Sequence, residues 1–309
     1  MNKNLLTASI STLLVGLIFA FSGCTDDTTM QNTELNAENK RINIMVSILP
    51  QVEFVEKIGG DKVDVSEMIP PGFSPATYDP SPEQLKKLQD AEIYFRIGHI
   101  PFEEAQMDKL SELNSDMIVI DTSENISLLE LAAHSHAEDE DEHEHEAGTD
   151  PHIWLSPKLV EIQAKHITNA LIAYQPEHEE YFSANYKAFI VELRELDSTL
   201  EETFEPIKGD TILVFHPAFG YLADAYDFEQ KAIEIEGKDP SPEHLKNIID
   251  EAIADDVKVI FVQKQFSTKS AQSIADEIDG VVVQIDPLAK DYIDNMSKMA
   301  ETIVNELNK

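Results

Sequence analysis

EHEEYFSANYKAFIVELRELDSTLEETF, residues 177–204, runs without a glycine or a proline. Tyr181, Phe182, Tyr186, Phe189, Ile190, Leu193, Leu196 and Leu200 recur in it at helical spacing, which predicts one continuous amphipathic helix. At 1.5 Å per residue that helix is roughly 40 Å long, enough to span two domains of ordinary size. On its N-terminal side, short apolar runs alternate with amphipathic ones: 42–49 then 52–58, 63–69 then 82–88, 93–97 then 102–113, and 117–120. The same order returns on its C-terminal side, with 211–215 and 218–225, 231–235 and 242–254, 257–262 and 268–278, 281–285 and 292–307. Strand followed by helix, repeated, is the pattern of a mostly parallel sheet covered on both faces. The expected architecture is therefore α/β, with two similar lobes of mainly parallel sheet flanked by helices and joined by one long backbone helix. A single stiff helix allows less opening and closing than extended connecting strands would. Two helix starts are well marked: Ser81-Pro82-Glu83-Gln84 offers an N-cap serine, a proline at the first position and a capping-box glutamine, and Ser241-Pro242-Glu243 repeats the first half.

The chain has 309 residues, 42% hydrophobic and 27% charged, enough apolar material for two real cores. Its formal net charge of −36 repels a phosphate backbone, which excludes nucleic acid as a partner and favours small cations. The same charge also fits a solubility or salt adaptation of the whole surface. No glycine-rich phosphate loop occurs, and Gly59-Gly60 lacks the Lys-Ser/Thr that a nucleotide site needs.

Residues 5–21 carry no charge and end in Ser22-Gly23 before Cys24, the only cysteine. Small residues before a lone cysteine resemble a lipoprotein signal, cleaved before Cys24 and lipidated on its thiol. An uncleaved transmembrane helix is the alternative. Either places the remainder outside the cytoplasm, lipid-anchored at the outer face of the membrane in the first case. Residues 25–40 are polar and read as a flexible tether. The expected divisions are 1–24 signal or anchor, 25–40 tether, 41–157 N-terminal lobe, 158–207 helical segment, and 208–309 C-terminal lobe.

In open α/β sheets ligands bind beyond the carboxyl ends of the strands. Three metal-ligand residue types stand at such places or beside a turn: His216 after the run 211–215, Asp286 after 281–285, and His152 in Asp150-Pro151-His152-Ile153-Trp154. Singly, each also fits a helix cap or an ordinary satisfied polar group. The ordered motifs Pro70-Pro71-Gly72 with Tyr78-Asp79-Pro80, Asp150-Pro151-His152-Ile153-Trp154, His216-Pro217-Ala218-Phe219-Gly220, Glu236-Gly237-Lys238 before Ser241-Pro242, Gln265-Phe266-Ser267 and Asp286-Pro287-Leu288 are similar to those of the zinc and manganese solute-binding proteins of ABC importers, the cluster A-I receptors. The resemblance covers about residues 42–307. It implies a metal site in the interlobe cleft, with His152, His216 and Asp286 as ligands, and an ABC permease and ATPase as partners of a monomeric receptor with no catalysis of its own. Two imidazoles and a carboxylate suit zinc by ligand softness, with manganese or iron also possible.

One departure stands out. Members of that family usually carry a histidine where this chain has Ala76, which cannot ligate. Water, His99 at the end of the run 93–97, or a histidine of the segment 134–146 could fill the fourth position. That segment, within an expected mobile loop at 134–149, holds His134, His136, His143 and His145 among seven carboxylates and cannot form a core. It reads either as an accessory metal-capture loop, which favours zinc, or as a tolerated exposed insertion. His166, His178 and His244 fall in expected helices and read as surface residues. Three protein ligands and an open position also fit a zinc hydrolase with Glu236 as its base. A metal-scavenging or adhesive surface lipoprotein is a further alternative.

Overall fold

Short runs of four or five residues, apolar in most cases but VDVSE at 63–67 and EQKA at 229–232, build the strands of the computed structural model, which describes residues 40–131, 148–234 and 241–309. Cys24, the proposed signal and tether, the histidine-rich segment and Glu236 lie outside the described residues. Residues 41–309 form one compact unit. Its first half runs β1 (Ile42–Val46), α1 (Leu49–Gly59), β2 (Val63–Glu67), α2 (Pro82–Gln89), β3 (Ile93–Arg96), α3 (Pro101–Leu113) and β4 (Ile118–Asp121). Then come α4 (Pro157–Tyr174) and the long α5 (Glu179–Phe204). The second half is β5 (Thr211–Val214), α6 (Gly220–Tyr226), β6 (Glu229–Ala232), α7 (Pro242–Ala254), β7 (Val259–Gln263), α8 (Thr268–Glu277), β8 (Val281–Ile285) and α9 (Tyr292–Leu307).

The strands form two four-stranded sheets of the same topology, β2-β1-β3-β4 and β6-β5-β7-β8, and every pairing is parallel. In a parallel sheet all carboxyl ends lie along one edge, so each sheet presents its chemistry on one side. Ser81 and Ser241 cap α2 and α7 through the backbone N–H groups of Gln84 and His244. The Gln84 side chain turns to the Ser81 hydroxyl.

The long helix is 26 residues and buries Phe182, Phe189, Ile190, Leu193, Leu196, Leu200 and Phe204. Tyr181, which also lies at core spacing, is instead 38% exposed, because its ring covers the turn at Gly60. Gly60 has φ +55°, and a Cβ there would lie 2.1 Å from the Tyr181 hydroxyl, so both the conformation and the space demand glycine. His178 lies in a 3-10 turn just before α5. His244 is buried at the start of α7 rather than at the surface, and its backbone N–H donates to the capping Ser241 hydroxyl.

One apolar cluster runs from Ile42 and Phe54 through Leu193 and Phe204 to Ile212, Tyr292 and Ile303, so the N-terminal sheet, the long helix and the inner face of the C-terminal sheet share a core. A separate cluster, including Leu213, Ile248, Val262 and Ile274, covers the outer face of the second sheet. Phe54 is the junction: its ring meets Phe189 of α5 at 5.9 Å and Tyr292 of α9 edge-on at 4.9 Å. Glu53 beside it accepts the backbone N–H of Tyr292, and Glu56 pairs with Lys290 at 3.0 Å. We expect Phe54→Ala to cost about 3–5 kcal/mol, the range for deleting a fully buried aromatic ring, measured by denaturant unfolding of the whole chain.

Candidate metal centre

His216 stands two residues beyond β5 and is followed by Pro217. Its backbone is gripped by Gln263, the last residue of the neighbouring strand β7: the His216 N–H donates to Gln263 Oε1 at 3.3 Å, and Gln263 Nε2 donates to the His216 carbonyl at 2.7 Å. Its Nδ1 lies 2.6 Å from Oε1 of Glu234, a carboxylate only 3% exposed. His152 precedes the 3-10 turn Ile153–Leu155. Both its backbone N–H, at 2.9 Å, and its Nδ1, at 2.7 Å, reach Asp150 Oδ1. Asp150 is held in turn by Tyr221, whose hydroxyl donates to the Asp150 carbonyl at 2.8 Å and accepts the Leu129 N–H at 3.0 Å. The Asp150 carboxylate needs Gly220, where a Cβ would lie 2.5 Å from Oδ2.

A carboxylate at Nδ1 accepts a hydrogen bond from the ring N–H, holds the proton on that nitrogen and leaves the Nε2 lone pair free. Both imidazoles are set this way, and their two Nε2 atoms face each other at 3.3 Å. Lone pairs so close need a cation or a proton between them. Two nitrogens each 2.0–2.1 Å from a tetrahedral zinc stand about 3.3–3.4 Å apart, which is the separation seen here. Phe266 stacks on the His216 ring at 5.0 Å, and Trp154 meets the His152 ring at 5.1 Å. Burial lowers the basicity of His216, outweighing the opposing pull of Glu234, so the metal-competent neutral ring is favoured.

Asp286 directly follows β8. Its Oδ1 accepts from Gln265 Nε2 and from the Leu288 N–H, both at 3.1 Å, while Oδ2 lies 3.3 Å from Lys264 Nζ. The structure thus brings together His152 and His216, while Asp286 and the half-buried His99 do not join them. Among the described residues no three His, Cys, Asp or Glu side chains converge as a metal cluster. The sheet order explains part of this: β7 lies between β5 and β8, and two strand spacings of about 4.8 Å separate their ends. Ala76 is exposed, its N–H bonded to Ser74 Oγ at 3.2 Å.

Sequence reasoning passes over two functional carboxylates. Asp150 belongs to a quoted motif, but its position two residues before His152 is the signal that it orients that ring. Glu234 hides inside the run 231–235, because β6 stops at Ala232 and puts Glu234 at the strand end.

Two parallel sheets joined by one long helix, with a carboxylate-backed imidazole pair at the strand ends, define a metal-binding receptor. The chain belongs to the family described as zinc-uptake complex component A periplasmic, whose model matches residues 44–306. It is 30% identical over 298 residues to the high-affinity zinc uptake system protein ZnuA of Bacillus subtilis, covering 89% of this chain and 91% of that one. It is 28% identical over 310 residues to the manganese-binding lipoprotein MntA of Halalkalibacterium halodurans, with 96% and 97% coverage. A solved structure of a zinc-bound ZnuA deletion mutant superposes with a TM-score of 0.79 at 39% identity, covering 86% of this chain and 98% of that one. Membership makes the chain an extracytoplasmic solute-binding component of metal import and sets the hydrolase reading aside.

Truncating Glu234 to Ala should weaken zinc binding about 10- to 100-fold, the usual cost of losing the partner that orients a ligating imidazole, with the metal-stripped protein still folded by circular dichroism. Acidification should weaken zinc binding too, because a proton on either Nε2 excludes the ion. The lowered basicity of His216 postpones that competition on its side to below the ordinary imidazole range near pH ~6.5, which zinc titrations across the pH scale will read.

Proposed function

We propose that this chain captures a zinc ion with His152, His216 and Asp286 and delivers it to an ABC permease driven by a separate ATPase. The observation that carries the reading is the 3.3 Å approach of two Nε2 atoms, each imidazole backed by its own buried carboxylate. The pair is a preformed half-site. Asp286 supplies the carboxylate, and its loop is tied to the pair: Trp154 Nε1, two residues beyond His152, donates to the Pro287 carbonyl at 2.9 Å. Three protein ligands leave the fourth position to water, to His99 or to a histidine among His134, His136, His143 and His145, since Ala76 offers nothing. Nitrogen donors in the majority favour zinc over manganese, which prefers carboxylate and water oxygens. The likeness to a relative named as a high-affinity zinc uptake protein supports the same choice. The acidic histidine segment acts as a weaker collector around the tight site. Lipidation of Cys24 tethers the receptor to the membrane beside its permease.

His152→Ala, His216→Ala and Asp286→Ala should each lower zinc affinity by orders of magnitude in competition with a chromophoric chelator, and unchanged affinity in any two overturns the assignment. Deleting 134–146 should remove only weak zinc binding. Loss of the tight site in that deletion would instead make a loop histidine the fourth ligand.

A further inference from the structure

The carboxylate of Asp286 is asymmetric. Its Oδ1 is fixed by two donors, Gln265 Nε2 and the Leu288 N–H, while Lys264 is the partner at Oδ2. A carboxylate anchored through one oxygen has the other available for a metal, and that oxygen is where the ammonium sits. The arrangement is built. Lys264 immediately follows β7, its backbone N–H donates to the Ile285 carbonyl at 3.1 Å, and the side chain therefore leaves the backbone directly beside Asp286. Gln265 and Leu288 also line a small cavity with Ile69, Gly72 and Phe73 from the first half of the fold, so this carboxylate stands next to the lobe junction.

Some lysine–carboxylate contacts, such as Lys246 with Asp250 and Lys298 with Asp294, are i,i+4 pairs on helix surfaces with both partners exposed. Lys264 to Asp286 is a non-local pair, like Lys158 to Asp197 and Lys290 to Glu56. It joins the ends of two neighbouring strands, and its carboxylate side chain is only 17% exposed. The chain has 23 basic residues against 59 acidic ones, so a cation placed on this carboxylate has many competing acidic partners to choose from.

We infer that Lys264 is a built-in competitor for the ion: its ammonium occupies the Asp286 oxygen that zinc needs, must be displaced for zinc to bind, and returns as zinc leaves. The inference rests on the assignment of Asp286 as a ligand under Proposed function. Physically it is an exchange of cations. Asp150 and Glu234 already place two carboxylates at the imidazole pair, and the Lys264 ammonium offsets the charge of the third, Asp286. The lysine stem has four freely rotating carbons and its side chain is 56% exposed, so the head can swing into water when the dication arrives. With its ammonium more than half exposed to water the ion pair is weak, so it does not block binding. It lowers affinity and speeds release, which a receptor that must hand over its cargo requires.

The test is zinc affinity and dissociation rate for the full chain and for K264M, K264R, D286N and K264M/D286N, by chelator competition and stopped flow. We expect K264M to bind zinc roughly two- to tenfold more tightly, mainly through slower release, with K264R falling back toward the wild-type values. In the D286N background K264M should change nothing, and the wild-type–K264M difference should shrink at high salt. Thermal unfolding of the metal-stripped variants within a few degrees of wild type establishes that they fold. Equal or weaker zinc binding by K264M, with wild-type binding still abolished by His152→Ala, overturns the competitor role and leaves the receptor reading intact. Wild-type zinc binding that is indifferent to both His152→Ala and His216→Ala overturns the site and the inference together.

Discussion

Two imidazole lone pairs held 3.3 Å apart are an unfavourable arrangement that the rest of the molecule is organised to maintain. Each ring is fixed at Nδ1 by a buried carboxylate, and the backbone beside the rings is fixed from further out. Asp150 depends on the Tyr221 hydroxyl and on the space left by Gly220, while the His216 backbone depends on the Gln263 amide. Those supports come from β7, from α6 and from the turn before α4, so the pair exists only when the second sheet, its helices and the connecting segment are packed together. A cation or a proton between the two nitrogens relieves the repulsion of facing lone pairs.

The shared core explains why that geometry can be kept. Phe54, Phe189 and Tyr292 belong to three helices from different parts of the chain, and their contact makes the two sheets and the long helix one packed body. Packed cores resist continuous deformation, so positional accuracy at the strand ends is inherited from aromatic packing well away from the metal.

Much of this was legible in the residues. Alternating apolar and amphipathic runs gave both sheets, because parallel strands buried on two faces must be apolar throughout, and Ser81-Pro82 and Ser241-Pro242 gave two helix starts. The places of His216, just past a strand and before a proline, and of His152, just after a proline and before a helical turn, were legible. What resisted was anything fixed by tertiary contact. Tyr181 has core spacing yet spends its ring on covering Gly60, and the run 42–49 conceals the break where β1 ends at Val46 and α1 begins at Leu49. Glu234 was hidden by a strand that ends earlier than its apolar run. The separation of Asp286 from the pair was hidden because strand order in space, with β7 between β5 and β8, is not strand order along the chain.

The Trp154 indole has been described as a donor to Pro287, but it is also a gauge. It ties the turn that carries His152 to the loop that carries Asp286, so the relative placement of those two segments is set by one hydrogen bond from a buried ring. Moving either segment away from the other strains or breaks that bond, so the tolerance between two stretches far apart in sequence is set by a single buried side chain.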